Sequence, residues 1–397
     1  MTFRAEVQGW LKDNFPESLA GVSLNFESAP GQEITDALEV WRGRLADKGW
    51  GAPTWPVQYG GAGLSQPDAK VIAEEMGAMG AFNHIPMNAG MGVTMVGPTL
   101  LEYGTDDQKD RHLPVIASGE VRWCLGLSEP NAGSDLASLQ TKAVDDGDAF
   151  ILNGQKTWTS GADISQWCGA LVRTNPDAKK HDGISFVMLP MDQAGVETRP
   201  IALIAGASPF CETFFDNARA EKADLLGDLN DGWNVIKRLL QHERASQTST
   251  RRSPGGGKSE ALQEAAKRYV GVDEDGRLAD TDLRTRMANH LMDAQAHNLT
   301  VRRIAAESKG NPQVSAAASI LKNSATHVGQ TRSELTVEFM GFQGLGWEGE
   351  QFRDEELSTV REWLSGKATS IYGGSFEVQN NIISKNILGL PETTQKG

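Results

Sequence analysis

The chain is short of cysteine, of positive charge and of long apolar runs. It has 3 Cys in 397 residues, and Cys124, Cys168 and Cys211 lack any CxxC spacing, which excludes a disulfide framework and a cysteine-based zinc site and points to a reducing compartment. Lys and Arg number 38 against 52 Asp and Glu, a formal net charge of -14. That balance would repel phosphate backbones and anionic headgroups, so neither nucleic acid nor a membrane is expected as a partner. No run approaches the roughly 20 apolar residues that span a bilayer. The opening MTFRAEVQGWLKDNF carries charges throughout and sets Phe3, Val7, Trp10 and Leu11 on one helical face, unlike a signal peptide. A cytoplasmic location is the expectation. The 7 His include His290 and His297 on one helical stretch but form no HExxH or similar spacing, so no metal is expected.

What is present suffices for packed cores: 39% hydrophobic residues with 10 Trp and 13 Phe in a chain long enough for two or three domains. Ile34, Leu38, Trp41 and Leu45 repeat at helical spacing with Gly49 at the place of a C-terminal cap, and Thr105 and Gln108 stand in capping-box register. Near Cys124 the character changes. Asp146-Gly147 and Asn153-Gly154 read as hairpin turns, and AFIL, KTWTS, GALVRT and GISFVMLP are β-branched, aromatic or alternating. From Trp233 helical spacing returns, with stripes at Leu283, Met287, Leu291 and Ala294 and at Ala317, Leu321, Ser324 and Val328. The expected fold class is α+β: a helical domain over 1–118, a central antiparallel β domain over 119–228, and a helical bundle over 229–397.

Two phosphate-loop patterns fail. GGGKS at Gly255 to Ser259 lacks the earlier glycine, since Arg252 stands there, and no strand precedes it. Gly344, Gly346 and Gly349 spell GxGxxG but follow Phe339-Met340-Gly341 in a helical region rather than the strand of a βαβ unit.

GLSEPNAGSD (Gly126 to Asp135), followed by NGQKTWTSGA (Asn153 to Ala162), together with the closing IYGGSFEVQNNIISKNILGLP (Ile371 to Pro391) and the α-β-α order, resembles the acyl-CoA dehydrogenase family. A flavin needs a face to stack on and hydrogen bonds along its ring edge, and Trp158 beside Thr159 and Ser160 offers both. Gly133 permits close backbone approach and Ser134 can donate to a carbonyl or phosphate. Without the resemblance, Trp158 reads better as a packed core aromatic and the serines as turn residues. The resemblance implies FAD as cofactor, with Leu127, Ser128, Gly133, Ser134, Trp158 and Ser160 at flavin or thioester contacts. It implies that Glu338, Gly341, Ser375 and Glu377 reach a neighbouring subunit's flavin, and that Ser134, Arg244, Gly373 and Gly374 border the acyl-CoA substrate.

The reaction that the resemblance implies removes an α-proton from an acyl-CoA thioester while the β-hydrogen leaves as hydride, giving a trans-2-enoyl-CoA. The base is a Glu raised in pKa by burial, and the electrons pass to an electron-transfer flavoprotein. In common family members this Glu stands where Gly373 stands here. A minority, among them isovaleryl-CoA and long-chain acyl-CoA dehydrogenases, carry it on a helix before an Arg, an arrangement matched by HER at His242 to Arg244. Glu243 is therefore the expected base, with a solvated surface charge as the plainer reading. The family's Arg-x-x-Phe-Gly segment for the flavin pyrophosphate is missing; the stretch reads RYVGVDEDGRLADTD. The insertion RRSPGGGK reads as an anion site for coenzyme A phosphates or, equally, as a solvated loop. A homo-oligomer, a dimer of dimers, or a hetero-tetramer with an unlike subunit is expected, and bulky, branched or ring-bearing acyl groups are the implied substrates. A non-catalytic partner subunit and a flavin monooxygenase on the same fold are the alternatives.

Overall fold

A computed structural model describes residues 2–22, 31–206, 208–248, 261–307 and 314–391. Among the described residues six α-helices come first: α1 (Phe3–Asn14), α2 (Gln32–Asp47), α3 (Gln66–Met79), α4 (Ile85–Asn88), α5 (Gly97–Tyr103) and α6 (Asp106–Ala117). The apolar face of α1 does what its spacing implies. Val7 and Leu11 are fully buried with Leu38, Trp41 and Leu45 of α2, each worth about 1.5–3 kcal/mol over exposure. Gly49 turns the chain after α2 at φ 66°. At the start of α6 the capping box is closed both ways, Gln108 N donating to Thr105 Oγ1 at 3.2 Å and Thr105 N to Gln108 Oε1 at 3.0 Å.

Eight strands follow: β1 (Trp123–Gly126), β2 (Lys142–Asp145), β3 (Ala149–Ser160), β4 (Trp167–Arg173), β5 (Ile184–Pro190), β6 (Val196–Pro200), β7 (Phe210–Glu221) and β8 (Leu225–Leu226). They form one sheet in the order β6-β7-β3-β2-β4-β5-β8, with β1 beside β4. The sheet is mostly antiparallel, as expected, but β1 runs parallel to β4 and β2 meets β4 in parallel at Lys142 and Arg173. Asp146-Gly147 makes the β2–β3 hairpin, Gly147 at φ 82° with its N–H donating to Asp145 Oδ1 at 3.0 Å.

Asn153-Gly154 is not a hairpin. It lies inside β3 at a register shift against β7. A Cβ on Gly154 would stand 2.7 Å from Thr141 Cα and 2.6 Å from its Oγ1, so glycine is needed for close approach within the sheet. Both bulges and turns ask for glycine, so the dipeptide alone does not separate them. Parallel pairing also sets Cys124 directly opposite Cys168; all three cysteines are free and buried.

The helices after the sheet are α7 (Gly232–Thr248), α8 (Leu262–Val270), α9 (Thr281–Glu307), α10 (Val314–Met340), α11 (Asp354–Gly366) and α12 (Phe376–Asn386). The chain gathers into two compact units, Met1–Ile201 with Ser208–Gly257, and Ala202–Ala207 with Lys258–Gly397. Helix α7 belongs to the first: Val235, Ile236 and Leu239 share a core with Leu125, Ala132, Leu171 and Phe186. In the second unit Leu262 and Ala266 of α8 pack on Leu335 and Phe339 of α10.

Candidate active site

The segment 126–135 leaves β1 as a loop and is fastened to β3 at three neighbouring points. The Thr157 N–H donates to the Ser128 carbonyl at 2.9 Å. Lys156 Nζ donates to the Leu127 carbonyl at 3.2 Å and to Glu129 Oε1 at 2.8 Å. The same carboxylate accepts from Gln140 N at 2.6 Å and Thr141 N at 2.8 Å, closing the loop on itself. Lys156 is fully buried and Glu129 is 8% exposed. Burial works to raise the Glu129 carboxyl, but the Lys156 charge and these hydrogen bonds outweigh it and hold it below its ordinary value. Burial lowers the Lys156 ammonium.

One residue beyond that clamp, β3 slips register again between Lys156 and Thr159, and Trp158 sits in the slip at φ 60°. A bulky side chain on left-handed backbone is strained by about 1–3 kcal/mol. The residue is nonetheless 54% exposed, its indole meeting Phe210 edge-to-face with ring centroids 6.0 Å apart. The core-aromatic reading therefore does not hold in this chain. Leu127, Ser128 and Ser160 are partly buried, whereas Gly133 and Ser134 are exposed. A Cβ on Gly133 would meet open space, so the protein's own packing does not require glycine there. Leu127, Ser128, Trp158 and Ser160 thus come together where the clamp joins the loop to β3. An exposed indole in strained backbone beside two serines fits a large planar ligand such as a flavin.

Glu243 lies on α7 in the same unit, partly buried. The helix is held by its apolar core face and by Arg238, whose guanidinium grips Glu102 of α5 at 2.6 and 2.7 Å. His242 Nε2 stands 3.3 Å from the same carboxylate, and burial pushes its imidazole below the ordinary value despite that neighbour. Arg244 continues α7, but its side chain and the whole of 251–260 lie outside the described residues.

The remaining expected residues belong to the second unit. Glu338 pairs with Arg286 of α9 at 2.6 Å, and Gly341 ends α10 at φ 55°. Gly373 and Gly374 follow each other at φ 63° and 86°, with Gln379 Nε2 donating to the Gly373 carbonyl at 2.8 Å. Ser375 caps α12, accepting from Val378 N, and the Glu377 carboxyl is lowered, first by the Ser375 hydroxyl. Gly344, Gly346 and Gly349 follow α10 with no strand before them. Sequence reasoning passed over Glu129 and Lys156. Their signal was present, since both stand inside the two quoted motifs, Lys156 in an otherwise strand-like run.

The acyl-CoA dehydrogenase N-terminal, middle and C-terminal domain families match residues 31–120, 124–218 and 230–388. The chain belongs to the acyl-CoA dehydrogenase family and is an enzyme of it; the family's members are FAD-dependent flavoproteins. Among its relatives, acyl-CoA dehydrogenase IpdE1 of Mycolicibacterium smegmatis and that of Mycobacterium tuberculosis are each 37% identical, over 98% of this chain and 97% of theirs. The structure of the Tcur3481-Tcur3483 steroid ACAD superposes with a TM-score of 0.73 at 28% identity, over 98% of this chain and 97% of that one. The ChsE4-ChsE5 complex from Mycobacterium tuberculosis gives 0.72 at 28%, with the same coverage. Among the described residues no helix is long and apolar enough to cross a membrane.

Proposed function

We propose that the protein is an FAD-dependent acyl-CoA dehydrogenase that converts an acyl-CoA thioester to a trans-2-enoyl-CoA and passes the electrons to an electron-transfer flavoprotein. The observation that carries this reading is the strained, exposed Trp158 clamped beside Ser128 in the same unit as Glu243. Leu127, Ser128, Gly133, Ser134, Trp158 and Ser160 hold the flavin. When bound, FAD supplies the acceptor for the β-hydrogen, which leaves with its electron pair. Glu243 takes the α-proton, the α C–H electrons become the new C=C bond, and the apolar core under α7 keeps the carboxylate aimed. Glycine at Gly373 leaves the alternative base position vacant, with open space where its Cβ would stand.

Glu243→Gln should keep FAD bound and slow reduction of the flavin by thioester about 1000-fold, because the amide keeps the shape and loses the proton acceptor. Anaerobic bleaching of the flavin's visible absorption reads this; reduction at the wild-type rate would remove Glu243 from the role. Flavin untouched by a panel of acyl-CoAs in the wild type would favour the monooxygenase alternative.

A bulky, ring-bearing acyl group and an unlike partner chain form the second reading, which two observations favour. Similar solved proteins are a steroid ACAD and a complex of two named chains. This chain also lacks the Arg-x-x-Phe-Gly segment for the pyrophosphate, which a second chain can supply. Glu338, Gly341, Ser375 and Glu377 would then face that partner's flavin.

A further inference from the structure

Burying a Lys and a Glu together is a costly way to hold two pieces of chain, since apolar residues of similar volume usually hold them at least as well. The arrangement around Glu129 and Lys156 shows what the charges add. An ammonium directs carbonyls, and an aliphatic side chain does not. Lys156 Nζ draws the Leu127 carbonyl inward at 3.2 Å, the Ser128 carbonyl is taken by Thr157 N at 2.9 Å, and the Glu129 carboxylate collects two N–H groups from the far end of the loop. The acceptors of residues 127 and 128 are thereby committed to the protein. The Ser128 hydroxyl, which has no hydrogen-bond partner among the described residues, is left available to a ligand beside Trp158.

We propose that Glu129 and Lys156 are positioning residues for the flavin: the buried pair turns the Leu127 carbonyl inward, beside the Ser128 carbonyl that the Thr157 N–H holds, so that the loop offers donors, not acceptors, to the acceptor-rich edge of the ring. This rests on the flavin reading above. It differs from a purely structural role in one consequence, that stability and cofactor affinity can be separated.

The test compares Glu129→Gln, Lys156→Met and the double variant carrying both, measuring melting temperature, the FAD dissociation constant and the visible spectrum of the bound flavin. Each single variant leaves a buried charge or a carbonyl unpaired and should lower both stability and affinity. The double variant removes both charges together and should recover most of the melting temperature while still binding FAD at least about tenfold more weakly, one hydrogen bond's worth of affinity, with a shifted flavin spectrum. Recovery of stability and affinity together would overturn the proposal. If the double variant does not fold, Glu129→Asp carries the test, because it keeps the charge and shortens its reach: weaker FAD binding in the folded protein supports positioning, and wild-type affinity overturns it. A wild type that binds no FAD would instead count against the flavin reading itself.

Discussion

Trp158 is the residue whose physics is least explained by folding. It is a large apolar group, more exposed than buried, on backbone that favours glycine. Trp158→Gly should relieve about 1 kcal/mol or more of strain while losing an edge contact with Phe210 worth about 0.5–1.5 kcal/mol. The melting temperature should therefore stay near wild type while FAD occupancy falls. A large drop in melting temperature with unchanged occupancy would return Trp158 to a packing role. Glu129 gives a second residue-scale expectation. Its folded carboxyl lies below the ordinary 4.5, so its contribution to stability is present above that value and is lost as pH falls through the folded value. The stability gap between wild type and Glu129→Gln should be widest near neutrality and should narrow below about pH 4.5. A gap that stays constant with pH would mean the charge is not what Glu129 contributes.

At the scale of elements, β3 is where sequence and structure part. Its apolar alternation and its hairpin with β2 were legible, as were the caps and faces of α1, α2 and α6, because each is set by residues close together in the chain. The two register shifts were not. Asn153-Gly154 reads as a turn, yet Gly154 is fixed by Thr141, the residue just before β2, a neighbour that only the fold supplies. The expected consequence is that Gly154→Ala, a substitution that ordinarily stabilises a strand, costs about 1–3 kcal/mol through overpacking; a denaturant midpoint at or above wild type would contradict it. The same reasoning explains why the Glu129–Lys156 pair was passed over. Charges count as surface in any reading of composition, and only the return of β3 beneath the motif loop buries this pair. Leu127, Ser128, Trp158 and Glu243 were named as site candidates through a resemblance of motifs, not through periodicity, which placed their elements and was silent on their chemistry.

At the scale of the whole molecule, the helical stripe of Ala317, Leu321, Ser324 and Val328 is used inside the chain, since Leu321 is buried and Ser324 Oγ meets His297 Nδ1 of α9 at 2.8 Å. The second unit carries other apolar surface. Phe342, Leu345, Ile371 and Leu388 are all more than half exposed, an unusual amount of large apolar side chain for a surface that stays in water. Phe342 and Leu345 lie within four residues after Gly341, and Ile371 lies four residues before Ser375, so these uncovered residues flank positions assigned to a neighbouring chain's flavin. An assembly of at least two chains, four in a dimer of dimers, is therefore expected, and light scattering with a flavin-to-protein ratio distinguishes its forms. A tetramer with about one FAD per chain marks a homomer. Half occupancy or apoprotein when this chain is expressed alone, restored by an unlike partner, marks the hetero-assembly. Phe342→Asp with Leu345→Asp should shift either assembly toward smaller species, since two charges would have to be buried at the contact. A monodisperse monomer with full FAD in the unaltered protein would remove the intersubunit flavin altogether.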